Sequence, residues 1–279
     1  MLRVGIVGAR GKMGCSVKEA LAKDNGFSLA FEVDKRFAVE VIKNRSDGGP
    51  LLAASLLDLE SSCNTLGLTP GAICDVLVDF TNADSLLEAA MWCAKNGIHL
   101  VSGSTGLSKD KIEEIEKLFS DQKSPNCVLA ANFSVSAVVL MQLAKIAAPY
   151  FDSVEIIELH HDEKKDAPSG TAIATAEHIA EALGENGLSL LRKDPTETER
   201  IAGSRGAETA DGIRIHSVRL HGLVAHEEVL FGSEGQSLTL RQDSYNRTSF
   251  MPGVLLAIRE VPTRSGMTIG LEKLLGFDK

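Results

Sequence analysis

The stretch that most restricts the fold stands at the N-terminus. Leu2 to Val7 is a short apolar run, Gly8-Ala9-Arg10-Gly11-Lys12-Met13-Gly14 follows it, and a helical pattern continues to about Ala22. A strand feeding a glycine loop that opens a helix lets backbone turn tightly against a pyrophosphate. The anion then sits on the N–H groups that the first helical turn leaves without intrahelical partners. The spacing is GxxGxxG rather than GxGxxG, so the placement between strand and helix carries the argument, because a glycine pattern alone also describes a plain turn. Arg10 and Lys12 add positive charge to the loop. A second apolar run, Phe27 to Val33, ends at Asp34, 20 residues beyond Gly14. A dinucleotide-binding fold places there the acid that bonds the adenosine ribose. Lys35 and Arg36 come next and suit a 2′-phosphate instead, so the residues leave NADH and NADPH both open.

The alternation continues. Leu51 to Leu59 reads as a short helix, Thr69-Pro70-Gly71 as a turn and Cys74 to Phe80 as a strongly apolar strand. Residues 81–84 precede a helix over Ser85–Lys95, which stops at Asn96-Gly97. His99 to Ser102 is a further strand, ending in Gly103-Ser104-Thr105-Gly106. A glycine and hydroxyl loop at a strand's C-terminal end is where open α/β sheets bind ligands. A helix over Ser108–Ser120, a strand over Cys127–Ala130 and a buried helix over Ala137–Ala148 follow. Asn44 to Pro50 is turn-rich. Repeated β–α units of this kind predict a doubly wound parallel sheet, a Rossmann-like α/β domain.

The pattern changes after about residue 134. Ile213 to His221, Glu227 to Phe231 and Ser237 to Arg241 are strands without intervening helices, which predicts an antiparallel or mixed sheet and an α+β second domain. The alternation slips by one between Ile215 and Val218, suggesting a bulge. Residues 185–212 are polar and turn-rich and read as a long mobile loop. Val254 to Val261 reads as a helix returning to the first domain. The expected division is 1–134 with 249–279 returning to it, and 135–248.

Chemistry concentrates between the strand Val154–Ile157 and the helix that opens at Ser169-Gly170-Thr171 and stops at Gly184. His160, His161, Asp162, Glu163, Lys164 and Asp166 crowd the segment that joins them. The first helical turn favours an anion, Gly170 admits close approach, and Ser169 and Thr171 add hydroxyls. His160 titrates near neutrality and Lys164 carries a fixed charge, which together suit a small dianion that must be held and protonated. The same residues also describe an N-cap and a solvated loop. A metal site is disfavoured, because adjacent residues of an extended segment point to opposite sides and chelate one ion poorly; no metal is expected.

Composition limits the alternatives. The formal net charge of −9 argues against nucleic-acid or anionic-membrane partners, so a dianionic substrate must be attracted by local basic groups. Five cysteines without a CxxC, and an N-terminus that leads directly into a strand, point to reduced thiols and a cytoplasmic protein. The most apolar region, Val128 to Tyr150, is broken by Asn132, Ser134, Ser136, Gln142 and Lys145 and is a buried-helix candidate rather than a membrane span.

Glu158-Leu159-His160-His161, followed by Lys164 and Asp166-Ala167-Pro168-Ser169-Gly170-Thr171, resembles the dihydrodipicolinate (4-hydroxy-tetrahydrodipicolinate) reductases. Val78-Asp79-Phe80-Thr81, Gly103-Ser104-Thr105-Gly106 and Ala131-Asn132-Phe133-Ser134 are similar to that family's later cofactor and hinge segments. Gly222-Leu223-Val224-Ala225-His226 and Arg247-Thr248-Ser249-Phe250 are similar to its actinobacterial and other Gram-positive members. The resemblance implies NADH and/or NADPH held by Gly8, Arg10, Gly11, Lys12, Met13, Gly14, Asp34, Lys35, Phe80, Gly103, Ser104, Thr105, Ala130, Ala131, Asn132 and Phe133. It further implies hydride transfer to a dianionic ring with His160 as general acid. Lys164 would bind a substrate carboxylate, helped by His161, Ser169, Gly170 and Thr171. A hinge between domains and a homotetramer built through the second domain are implied too. Glu163 departs from the family, which often has a third His there, and Ser104 stands where Thr is usual. Another two-domain NAD(P)-dependent dehydrogenase and a non-catalytic dinucleotide sensor are the alternatives.

Overall fold

The computed structural model describes residues 1–37, 49–121, 125–189 and 194–277. The chain divides into two compact units, Met1–Phe133 with Phe250–Lys279, and Ser134–Ser249.

The first unit opens with β1 (Leu2–Val7), α1 (Lys12–Ala22) and β2 (Phe27–Val33). There follow β3 (Leu51–Ala53), α2 (Leu56–Thr65), α3 (Pro70–Ile73), β4 (Val76–Asp79), α4 (Ala83–Asn96), β5 (His99–Ser102), α5 (Lys109–Leu118) and β6 (Cys127–Leu129). Two of these differ from the sequence reading. Leu51 to Ala53 is a strand, because Phe31, Glu32 and Val33 of β2 pair with it in parallel and Leu51 and Ala53 are buried beside them. The helix therefore begins only at Leu56, where the Ser55 side chain accepts from the Asp58 N–H. The expected turn at Thr69-Pro70-Gly71 is instead the start of α3, since Pro70 at the first helical position pre-sets φ. The rest of the turn-rich reading over Asn44–Pro50 falls mostly outside the described residues.

All seven strands of the first sheet run parallel, in the order β12-β6-β5-β4-β1-β2-β3, where β12 is Met267–Ile269. This is the doubly wound sheet expected from the alternation. The order reverses between β1 and β4, which opens a crevice beyond their C-terminal ends. Phe31, Leu59, Leu77, Leu86, Leu100 and Phe119 fill the core.

The second unit contains α6 (Val135–Ala147), β7 (Ser153–His160), α7 (Gly170–Glu185), β8 (Ala207–Glu208), β9 (Arg214–Arg219), β10 (Ala225–Ser233) and β11 (Gln236–Ser244). Its sheet has the order β11-β10-β7-β9-β8 and is mixed, because β7 and β9 are parallel and the other pairs antiparallel. One face packs on α6 and α7 through Leu140, Ala144, Ile156, Ala176, Ile179 and Val229. The bulge expected between Ile215 and Val218 is not there. β9 keeps an unbroken register with β7 from Glu155↔Arg214 to His160↔Arg219. The slip in hydrophobicity arises because the residues that alternate with Ile213 and Ile215, namely Ser217 and Arg219, turn polar where they meet Glu158. The expected loop over 185–212 contains β8 and is tied down where described. Glu199 accepts from the Gly203 and Arg205 N–H groups, and Arg205 pairs with Glu155 and Asp194. The chain then re-enters the first unit through α8 (Met251–Glu260), which packs on α1, and β12, which pairs with β6. Among the described residues no helix is long and apolar enough to cross a membrane.

Candidate active site

The glycine loop is built as a cradle. Gly8 has φ +76°, a conformation that L side chains rarely adopt. At Gly14 a Cβ would lie 2.3 Å from the Gly8 carbonyl oxygen, so a glycine there lets α1 sit directly against the loop. Gly11 is the N-cap of α1 and supplies no side-chain cap, so the N–H groups of the first turn stay available for an anion. Lys12 and Met13 are the first two residues of that helix. A cavity of about 360 Å³ opens at the crevice, lined among others by Gly8, Gly11, Asp34, Lys35, Phe80 and Thr81. Loop, helix start, cavity and acid at the end of β2 fit a dinucleotide.

Asp34 is committed on every side. Its Oδ1 accepts from the Arg36 N–H and Nε, and its Oδ2 accepts from Arg36 Nη2 and the Arg10 N–H, at 2.8–3.0 Å. The Arg36 guanidinium holds the Asp34 carboxyl well below the usual carboxylate range. Sequence reading treated the acid and the neighbouring cations as rivals; the structure makes Asp34 and Arg36 an ion pair. The Arg10 side chain turns towards this segment, donating to the Arg36 carbonyl and lying 5.5 Å over the Phe37 ring.

The ends of β4, β5 and β6 carry the remaining cofactor candidates. The Phe80 and Phe133 rings meet edge to face at 5.6 Å. A Cβ on Gly103 would collide with Phe80 at 2.1 Å. Ala130 donates its N–H to the Ser102 carbonyl, and Ala131 and Asn132 follow at the end of β6. Ser104 and the residues around it are organised by Asp79, which has no exposed surface. Ser102 Oγ, Ser104 Oγ and Thr81 Oγ1 all donate to its carboxylate, at 2.8, 2.7 and 2.5 Å. Ser104 Oγ in turn accepts from the Thr81 N–H. Asp79 thus locks two loops of the crevice together; Thr105 continues one of them. Asp79 was not among the sequence-derived candidates, although an acid ending the buried strand Val76–Asp79 is the signal that identifies it.

In the second unit, Glu158 lies at the centre. Val154, Ile156 and Glu158 occupy successive core-facing positions of β7, and Glu158 is fully buried. A buried carboxylate must be paired and hydrogen-bonded. Arg219 Nη1 and Nη2 donate to its two oxygens at 2.8 and 2.9 Å, His160 Nδ1 lies 2.6 Å from Oε2, and the Ser169 N–H donates to Oε1 at 3.2 Å. Burial pushes the Glu158 carboxyl up, but the bonds from His160, Arg219 and Ser217 outweigh it and hold it at about 2. The carboxylate only accepts, so His160 Nδ1 carries the hydrogen of that bond. This orients the ring and leaves Nε2 outside that bond. Arg219 is fixed further by donating to the Asp166 and Val218 carbonyls. Neither Glu158 nor Arg219 was among the sequence-derived site residues. A charged residue at a core-facing strand position was the available signal.

The other candidates of this unit surround the cluster. Ser169 is the buried N-cap of α7, its Oγ accepting from the Ala172 N–H while its own N–H serves Glu158. Gly170 and Thr171 form the first turn, and an added Cβ at Gly170 meets nothing within 4 Å. Lys164 Nζ is paired with the exposed Asp166 carboxylate at 2.7 and 2.8 Å, and Lys164 lowers the pKa of Asp166. His161 follows His160 at the strand end and accepts from the Lys164 N–H through its carbonyl. Among the described residues no group of three or more His, Cys, Asp or Glu is arranged to hold a metal ion.

The chain matches two family models that together span nearly all of it, "Dihydrodipicolinate reductase, N-terminus" over residues 2–133 and "Dihydrodipicolinate reductase, C-terminus" over residues 136–275. It is 40% identical over 279 residues to a 4-hydroxy-tetrahydrodipicolinate reductase of Corynebacterium urealyticum, covering 100% of both chains. It is 43% identical over 276 residues to that of Mycobacterium marinum, covering 99% of this chain and 100% of the relative. A dipicolinate-bound dihydrodipicolinate reductase from Paenisporosarcina sp. TG-14 superposes with a TM-score of 0.80 at 39% identity, covering 98% of this chain and 99% of that one. With both of its units matched, the chain belongs to the dihydrodipicolinate reductase family.

Proposed function

We propose that the chain reduces 4-hydroxy-tetrahydrodipicolinate, or the dihydrodipicolinate that forms from it by loss of water, to tetrahydrodipicolinate, in lysine and diaminopimelate biosynthesis. Bound NADH or NADPH supplies the hydride. His160 supplies the proton to the adjacent ring carbon, from Nε2, while Glu158 accepts from Nδ1 and stabilises the charged ring. The observation that supports this reading is the Arg219–Glu158–His160 chain, which orients the His160 ring at the end of β7, in the segment that leads through Lys164 to the start of α7. Lys164 exchanges the exposed Asp166 carboxylate for a substrate carboxylate, a cheap exchange because exposed ion pairs are worth about 0–1 kcal/mol. Gly170 and Thr171 present the first turn of α7 to the anion, His161 assists, and Ser169 fixes that turn from beneath.

Gly8, Arg10, Gly11, Lys12, Met13 and Gly14 hold the cofactor pyrophosphate, and Asp34 with Lys35 borders its ribose. Phe80, Gly103, Ser104, Thr105 and residues 130–133 line the remainder. We place the protein in the cytoplasm, consistent with Cys15, Cys74, Cys93 and Cys127 remaining thiols, and read it as a homotetramer built through the second unit. Sedimentation equilibrium tests the tetramer. Turnover of enzymatically generated substrate with each reduced nicotinamide tests the function: oxidation dependent on both components is expected, and none with either cofactor would refute it.

A further inference from the structure

Glu227 is a buried acid that this mechanism leaves unused. It stands on β10 directly opposite Glu158 on β7 and opposite Gln242 on β11. Together with Val229 and Phe231 it faces the helices, and it is 2% exposed. Its Oε1 lies 2.6 Å from Thr175 Oγ1, and the same Thr175 oxygen lies 3.0 Å from the Thr171 carbonyl. One hydroxyl carries one hydrogen and cannot donate to both acceptors. Both contacts are satisfied together only when Glu227 is protonated, so that its O–H donates to Thr175 Oγ1 and the Thr175 O–H donates to Thr171. Among the described residues, the groups facing Glu227 are Glu158 from β7, with its partners His160 and Arg219, Thr175 from α7, and Gln242 from β11, which accepts from Ser136 of α6. Arg219 is engaged by Glu158, and among the described residues no cation is paired with Glu227.

We propose that Glu227 is a positioning residue that works as a neutral acid, tying the first turn of α7 to the sheet through Thr175, and that its ionisation weakens the hold of that turn on an anionic ligand. The proposal rests on the reading that Gly170 and Thr171 receive a substrate carboxylate. Ionised Glu227 takes the Thr175 hydrogen for itself, which removes the side-chain bond to Thr171. It also sets a second negative charge beside Glu158, below the turn that must attract a dianion. Burial pushes the Glu227 carboxyl up to about 7, so its ionisation falls near neutral pH.

The test uses the full-length protein and pyridine-2,6-dicarboxylate, the ligand whose binding is read by calorimetry at about pH 6 and about pH 8.5, on either side of about 7. The wild type is expected to lose affinity roughly tenfold more over this interval than Glu227→Gln, the scale set by one added unit charge in a protein interior. Glu227→Gln keeps a neutral donor to Thr175 at every pH. Thr175→Val is expected to weaken binding at both pH values. An infrared difference spectrum between the two pH values is expected to contain a protonated-carboxyl band that Glu227→Gln lacks; its absence would overturn the neutral acid. Gly170→Val separates the two levels: it is expected to abolish binding. If Gly170→Val abolishes binding but Glu227→Gln follows the wild type with pH, the Glu227 proposal fails alone. Unchanged binding in Gly170→Val removes the site reading and this proposal together.

Discussion

Glu158→Gln is the perturbation that most directly probes how the site is assembled. The change keeps shape and volume but deletes the charge that Arg219, His160 and the Ser169 N–H share. Two effects are expected. The first is on stability. The folded-state pKa of Glu158 is about 2 against an ordinary 4.5, so the folded protein favours the ionised form by about 3 kcal/mol. Because that pKa is depressed, the contribution is fully present above about pH 4.5 and is lost as pH falls towards about 2. Glu158→Gln also leaves Arg219 without its buried partner, so at neutral pH it should cost about 3 kcal/mol or more. The variant should then lose less stability than the wild type between about pH 4.5 and about 2. Urea unfolding followed by circular dichroism at stepped pH measures both. The second effect is on rate. A charge-assisted bond contributes about 1.5–3 kcal/mol, so kcat should fall by roughly 10–100-fold when the His160 ring loses its anion. Cofactor KM should stay near the wild-type value, since the nucleotide loop belongs to the other unit. A variant with kcat within about twofold of wild type, or with an acid stability profile parallel to it, would refute the role given to Glu158.

Other outcomes follow from the same geometry. His160→Ala should lower kcat roughly 10²–10⁴-fold with little change in cofactor affinity, checked by steady-state nicotinamide oxidation. Arg36→Ala frees the Asp34 carboxylate for ribose hydroxyls and should shift kcat/KM towards NADH by roughly tenfold, whereas Asp34→Ala should shift it towards NADPH. Unchanged cofactor preference in both variants would show that this pair does not face the ribose. Asp79→Asn puts an amide among three hydroxyl donors and should raise cofactor KM more than it lowers kcat, measured with the substrate saturating.

Much of the fold was legible because its strands carry a strong local pattern. The buried runs at Leu2–Val7, Phe27–Val33 and Val76–Asp79 alternate with helices whose stops and caps are visible, such as Asn82 before α4 and Gly97 after it. β3 was not legible, since three residues become a strand only by pairing with β2. The slip on β9 was misread for a related reason. Periodicity assumes an apolar inner face, and this face turns polar where Ser217 and Arg219 reach Glu158. The same assumption hid Glu158, Glu227 and Asp79. Each stands where a hydrophobic residue would fit the pattern, and each has a partner from a distant segment: Arg219 lies 61 residues from Glu158, Thr175 lies 52 from Glu227, and Ser102 lies 23 from Asp79. Motif reading finds polar groups at strand ends and helix starts and passes over the buried acids that hold those groups.

The return of the chain to its first sheet bears on how this protein is made. Sheet and helix contacts of the first unit depend on residues synthesised after the second unit: β12 closes one edge of the sheet against β6, α8 covers α1, and Arg259 lies 4.8 Å over the Phe27 ring and pairs with Asp24. The nucleotide unit therefore cannot complete while its own first 133 residues are emerging. The second unit, one uninterrupted segment, is free to fold earlier on the ribosome. Until Met267 is released, the growing chain carries an open strand edge at Cys127–Leu129, the kind of surface that recruits a neighbouring nascent chain or a chaperone.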